Sequence, residues 1–195
     1  MSGLASAAHL CVDMQNLLKA GSPWPAPWAE RILPKVVALA ETLPERTVFT
    51  RFIPPRTPDE MRGTWRDFYS KWRNVTRDHL AGNVLDLMSP LDKFIPPAKL
   101  IDKMTYSAFS NPALLQQLNA WRCPNVIISG AETDVCVLAT VLHAVDFGFR
   151  VILPIDAICS SSDPCHDALL TLYRQRFSQQ ILALETEQLL AGDWH

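Results

Sequence analysis

The sequence carries no excess charge of one sign: eighteen Lys plus Arg stand against twenty Asp plus Glu, a formal charge of −2. That balance leaves no electrostatic footprint for nucleic acid or for an anionic membrane surface. No apolar run approaches the roughly 20 residues that a membrane span requires. The first residues lack a basic stretch followed by an apolar one, so no signal peptide is expected. Cys-x-x-Cys is absent, and the five cysteines, an odd number, stand at 11, 123, 136, 159 and 165. Reduced thiols in a cytoplasmic protein fit this pattern better than a disulfide framework. There is no His-x-His or His-x-x-x-His pair, no Gly-x-Gly-x-x-Gly after the first apolar run and no Gly-x-Ser-x-Gly. These gaps speak against a paired-histidine metal site, a dinucleotide-binding oxidoreductase and a serine hydrolase.

What is present is a globular composition. Of 195 residues, 48% are hydrophobic and 19% charged, enough for one sizeable core, and no linker or repeat divides 1–195. Short apolar runs predict strands at Ala8 to Val12, Thr47 to Ile53, Lys99 to Lys103, Asn125 to Ser129, Phe149 to Ile155 and Gln179 to Leu184. Helical patterns fall between them, at Pro27 to Leu43, Pro112 to Arg122, Asp134 to Phe147 and Pro164 to Arg176. Gly148 is placed to cap the third of these, and Ser162 or Asp163 to open the fourth. Strands alternating with helices predict an α/β fold with a parallel sheet covered on both faces. The stretch from Arg56 to Lys93 is too long for an ordinary strand-to-helix loop. With Trp65, Phe68, Tyr69 and Trp72 in it, it predicts an elaborated connection over the sheet edge with a short helix at Asp67 to Trp72.

Ligands in such sheets sit beyond the carboxyl ends of the strands, so the residues ending strands carry the chemistry. Ser129-Gly130-Ala131-Glu132-Thr133-Asp134-Val135-Cys136 runs from a strand into a helix. With Thr133 or Asp134 as N-cap, Cys136 falls in the first turn, where free N–H groups and the helix dipole favour a thiolate and can hold an oxyanion. Against this stands the ordinary fate of a cysteine in an apolar helix, which is packing. Cys11, Cys123, Cys159 and Cys165 are assigned to packing outright. Asp13 ends a strand expected to be central, where a carboxylate has no cheap structural reason to be. Lys103 ends another. Together they form a consistent set, in which Asp13 accepts the thiol proton and Lys103 keeps Asp13 ionised.

These residues resemble the isochorismatase-like cysteine hydrolases, which include nicotinamidases, N-carbamoylsarcosine amidohydrolases and ureidoacrylate or biuret amidohydrolases. The resemblance rests on Cys11-Val12-Asp13-Met14-Gln15-Asn16, on Asp102-Lys103 with Tyr106-Ser107-Ala108-Phe109, and on Gly130 to Val137. The closing Asp156-Ala157-Ile158-Cys159-Ser160-Ser161 with His166 also fits. The resemblance implies a three-layer αβα sandwich, with a mostly parallel six-stranded sheet and a catalytic Asp13-Lys103-Cys136 triad. It also implies a cis Ala131–Glu132 bond, an oxyanion hole from the amides of Glu132 and Cys136, and a homo-oligomer, dimer or tetramer. In nicotinamidases an Asp and His cluster binds a metal beside the second strand. Here that place reads Val48-Phe49-Thr50-Arg51-Phe52-Ile53-Pro54, without His, and the five histidines are assigned to surface or packing.

The resulting expectation is a metal-independent, cofactor-free amidase acting on a small amide or ureido (carbamoyl) compound through a thioester. Two alternatives stand beside it. One is vinyl-ether hydrolysis of the isochorismatase type, using Asp13 without Cys136, and the other a catalytically silent binding protein. Arg51, Trp72 and Tyr106, with Trp65, Tyr69 and Arg77, are the candidates for shaping a pocket for a small anionic substrate. No nucleic acid or membrane partner is expected.

Overall fold

Alternation within the strands decides how the layers stack. The computed structural model describes residues 3–192 and 194. Its strands are β1 (Ala7–Val12), β2 (Thr47–Phe52), β3 (Lys99–Lys103), β4 (Asn125–Ala131), β5 (Arg150–Pro154), β6 (Ile158–Cys159) and β7 (Ile181–Leu184). The α-helices are α1 (Ala29–Thr42), α2 (Thr64–Lys71), α3 (Pro112–Trp121), α4 (Leu138–Asp146), α5 (Asp163–Arg176) and α6 (Thr186–Ala191). Successive strand side chains point to opposite faces. Ala7 and Cys11 of β1 therefore join Phe49 and Ile127 against α1 and α6. Ala8, Leu10 and Val12 join Val48, Val126 and Ile128 against α3, α4 and α5. Every residue of β1 is buried, as expected for a strand covered on both faces.

The sheet order is β3-β2-β1-β4-β5-β7, and every strand pairing is parallel. The six expected strands are all there. A seventh, the two-residue β6, takes over as the neighbour of β4 where β5 diverges, pairing Gly130 with Ile158 and Ala131 with Cys159. The chain leaves β1 in one direction through β2 and β3 and returns to β4 on its other side. The order thus reverses between β1 and β4, the place where such sheets open a crevice at their carboxyl ends.

Caps agree with the sequence at two positions. Gly148, at φ +84°, follows α4, and the Ser162 side chain accepts a bond from the Cys165 amide at the start of α5. The segment leading into α4 differs from expectation. Thr133–Val137 forms a single π-helical turn, and the residue that caps it is Glu132, with no side-chain cap bond. Glu132 is instead the carbonyl acceptor for the amides of both Val135 and Val137. The long excursion also lies elsewhere than expected: α2 packs at the carboxyl ends of the strands, against Phe52, and not along the sheet edge.

Candidate active site

At the end of β1, Asp13 takes φ +52°, a left-handed conformation that a short polar side chain tolerates. Thr50 on β2 fixes it from two sides: its hydroxyl accepts from the Asp13 amide at 3.2 Å and donates to Asp13 Oδ1 at 2.6 Å. The other carboxylate oxygen lies 2.6 Å from Lys103 Nζ, a side chain wholly withdrawn from solvent. The ammonium also donates to the Thr105 carbonyl at 3.1 Å and to Cys136 Sγ at 3.4 Å. Phe52 covers it, with the ring centre 4.9 Å from Nζ. The three residues picked out by sequence are thus brought together at one point.

Burial opposes the charge on Lys103, but Asp13 and Cys136 outweigh it and hold its pKa above the ordinary lysine value. The thiol behaves differently from expectation. Burial first, then the Asp13 carboxylate, push the Cys136 thiol well up, and the nearby ammonium only partly opposes them. The pull of the helix start is thus outweighed at this sulfur, and the Asp13 carboxylate beside Lys103 is placed to take its proton. Of the other cysteines, Cys11, Cys123 and Cys159 are buried as expected, whereas Cys165 is exposed.

The turn carrying Cys136 reaches the site because β4 can approach β1 closely. Gly130 pairs with Val12 at φ +106°, and a Cβ there would meet the Val12 carbonyl oxygen at 2.1 Å. Only glycine fits. The next peptide, Ala131–Glu132, is cis. Glu132 Oε2 accepts from the Ser161 amide at 2.8 Å, and Thr133 bonds His166 at 2.8 Å, so the turn is tied to the start of α5 on its outer side. Two contributors were missed in the sequence. Thr50 is one; Gln15 is the other, its amide bonding the backbone of Phe52 in both directions and the Leu85 carbonyl. Gln15 stands two residues past Asp13 in the stretch Cys11 to Asn16, on the same strand-end path, which is the available signal.

Asp13, Ala131, Glu132 and Cys136 line a cavity of about 210 Å³. Gln15, Leu17, Leu18 and Val135 also line it, together with the aromatic rings of Trp24, Phe52, Phe68, Trp72 and Tyr106. Of the candidates for substrate contact, Trp72 and Tyr106 line it. Arg51 does not. Its register partner on β3 is Asp102, and the guanidinium forks onto that carboxylate at 2.8 and 2.9 Å. Arg77 lies near Glu60, Trp65 stacks on Tyr69 and meets Tyr106 at a tilt, and Tyr69 is fully buried. The anion pocket expected from these arginines is therefore not formed: each has an acidic partner outside the cavity.

Nicotinamidase 3 of Arabidopsis thaliana is 34% identical over 74 residues, 38% of this chain and 37% of that protein. An isochorismatase family protein of Bacillus subtilis (strain 168) is 25% identical over 132 residues, 68% of this chain and 64% of that one. The chain thus matches less than two thirds of the length of these curated relatives. Among solved structures, a pyrazinamidase of Pyrococcus horikoshii in complex with zinc superposes with TM-score 0.72 and 23% identity over 92% of this chain and 99% of that one. A cysteine hydrolase of Pseudomonas syringae pv. phaseolicola does so with TM-score 0.74 and 20% identity over 96% and 92%. These superpositions establish the fold.

The residues present here do not fit a resident metal. Among the described residues no three His, Cys, Asp or Glu side chains converge on one point, and Phe52 occupies the β2 end beside the ammonium. The family model described as Isochorismatase domain matches residues 7–185, nearly the whole described chain, and places this protein in the isochorismatase family.

Proposed function

We propose that this protein is a cysteine amidase that hydrolyses the C–N bond of a small amide bearing no negative charge. The observation that carries the reading is the meeting of the Asp13 carboxylate, the Lys103 ammonium and the Cys136 thiol, at 2.6 and 3.4 Å from Nζ, beside a cavity that Asp13 and Cys136 line. Cys136 attacks the amide carbon as its proton passes to Asp13, forming an S–C bond and an oxyanion. The amides of Glu132 and Cys136 hold that oxyanion, in the manner of preorganised backbone donors. Asp13 then returns the proton to nitrogen as the C–N bond breaks, releasing ammonia or an amine and leaving a thioester. Water, losing a proton to Asp13, attacks the thioester; the acid departs and sulfur recovers its proton. Lys103 stays charged throughout and offsets whichever of Asp13 or sulfur bears the negative charge.

The absence of negative charge in the substrate follows from the lining. Asp13 and Glu132 are the charged residues that line the cavity, and both arginines expected there are engaged elsewhere. An anionic ureido acid would enter without a cation to meet it. The free thiols suit a reducing compartment, and among the described residues no helix is long and apolar enough to cross a membrane.

The test is ammonia release across a panel of small uncharged and anionic amides, before and after exhaustive EDTA treatment, with Cys136→Ser as control. Turnover of uncharged amides that survives chelation and disappears in Cys136→Ser is the expected result. Turnover retained by Cys136→Ser would overturn the nucleophile. Loss on chelation restored by a divalent ion would overturn the metal-free reading.

A further inference from the structure

The ammonium and the thiol of the site come from strands that do not touch. Lys103 ends β3, at one edge of the sheet, and β2 and β1 stand between β3 and β4. Sheet register therefore sets the distance from Lys103 to the turn after β4 only through two intervening strands. A direct tie exists on the helical side. The loop from β3 to α3 carries Thr105, whose carbonyl accepts from Lys103 Nζ, and Tyr106, which lines the cavity. Its next residues, Ser107 and Ala108, are bonded to side chains of α4.

Thr140, in the first turn of α4 and wholly buried, makes one of these ties. Its Oγ1 accepts from the Ala108 amide at 3.0 Å and donates to the Cys136 carbonyl at 2.7 Å. A helical threonine often bonds back to the carbonyl four residues earlier, and that half alone would signify little. The other half reaches a loop 32 residues away. The hydroxyl has one proton and gives it to the carbonyl, so a lone pair faces the amide and the relay runs in one direction. One turn on, His143 Nδ1 meets Ser107 Oγ at 2.7 Å, and Ser107 Oγ accepts from the Phe109 amide at 3.2 Å. Ala108 and Phe109 also share a core cluster with Val137 and Val141.

We propose that Thr140, seconded by His143, is a positioning residue: it fastens the loop that follows Lys103 to the backbone of Cys136 and so holds the ammonium 3.4 Å from Sγ. This role rests on the amidase reading above and adds a residue to it. Thr140 is outside the lining of the cavity, so it acts on the alignment of the nucleophile with its counter-charge and not on substrate contact. The ammonium favours the Cys136 thiolate, against burial and Asp13. Loosening the loop withdraws part of that support.

The experiment compares Thr140→Val, which keeps the shape of the side chain and removes both bonds, with Thr140→Ser, which restores the hydroxyl. Two quantities are read: amide hydrolysis, as kcat and KM separately, and the rate at which iodoacetamide alkylates Cys136, by peptide mapping. In Thr140→Val, kcat is expected to fall about tenfold to a hundredfold, with KM within about twofold of wild type. Alkylation in mildly alkaline buffer is expected to slow about tenfold, as a thiol pKa raised by about one unit requires. Thr140→Ser should recover most of both. Ser107→Ala, which cuts the His143 tie, should shift both in the same direction by a smaller factor. Val141→Ala loosens the same packing with the bonds intact, and should lower the melting temperature without the loss in kcat. Wild-type values in Thr140→Val, no recovery in Thr140→Ser, or an equal kcat loss in Val141→Ala overturns the positioning role and leaves the amidase standing. So do unchanged values in Ser107→Ala, should Thr140→Val fail to accumulate. If wild type hydrolyses no amide, the alkylation pattern decides by itself: present, it supports the role while the amidase falls; absent, both fall.

Discussion

Replacing Lys103 with methionine keeps the length of the side chain and removes its charge, and the consequences follow from two distances. At 2.6 Å from Asp13 and 3.4 Å from Cys136 Sγ, an ammonium at an effective dielectric of about 20 attracts a unit negative charge by about 6 and about 5 kcal/mol respectively. The desolvation of two buried ions offsets much of the first figure in the intact pair. In Lys103→Met the attraction is lost while the desolvation of Asp13 persists, because Asp13 remains buried with Thr50 as its partner and no counter-charge. Breaking a buried pair in this way costs about 3–5 kcal/mol, a large share of a typical domain's stability. Lys103→Met should therefore unfold at distinctly lower urea, while the double variant Asp13→Asn/Lys103→Met should recover at least about 2 kcal/mol over the single one. The deficit of Lys103→Met against wild type should narrow toward pH 4, since an uncompensated carboxylate takes up a proton more readily and its penalty fades. Neither variant should turn over substrate, as both lack the charge that offsets sulfur and Asp13 during attack. Urea titrations at pH 7 and pH 4, alongside ammonia release, give all these quantities. A single variant within about 1 kcal/mol of wild type, or a double variant no more stable than the single, would refute the reasoning.

Two further outcomes can be measured on the same footing. Burial lowers the pKa of His9, fully enclosed between Thr47 and Ser129, to about 3; the unfolded chain takes up a proton near pH 6.5 and the folded one does not. Stability is then full above pH 6.5 and falls by up to about 1.4 kcal/mol per pH unit between there and pH 3, so His9→Gln should have a visibly flatter acid limb in urea midpoints against pH. An acid limb of unchanged slope would sink this account. Gly130→Ala should be destabilised by more than about 3 kcal/mol or fail to accumulate in soluble form, since the new Cβ meets backbone at 2.1 Å where strands cannot part; a melting temperature near wild type would contradict it.

The sequence by itself determined a great deal about this protein, because the signals involved are local. Apolar runs placed six strands and the main helices, since burying both faces of a parallel strand requires a continuous apolar stretch. Strand-end positions then isolated Asp13, Lys103 and Cys136, because a polar residue ending a buried run stands out against its neighbours. Tertiary structure decided what depends on who the neighbours are. Arg51 looks like an anion binder in the chain, but parallel pairing of β2 with β3 sets it beside Asp102 and uses up its guanidinium. Cys136 looks like a thiolate at a helix start, yet burial and the facing Asp13 push its pKa up. Thr50 and Gln15 act on groups 37 residues away, so their partners cannot be read from the sequence around them. The aromatics of the excursion were visible, but whether each packed or faced a cavity was fixed by the position of α2 over the strand ends. Trp65 and Tyr69 went to packing and Phe68 and Trp72 to the wall of the site. Periodicity and strand ends are written along the chain, whereas charge partners, protonation and the lining of a cavity arise only when distant segments meet.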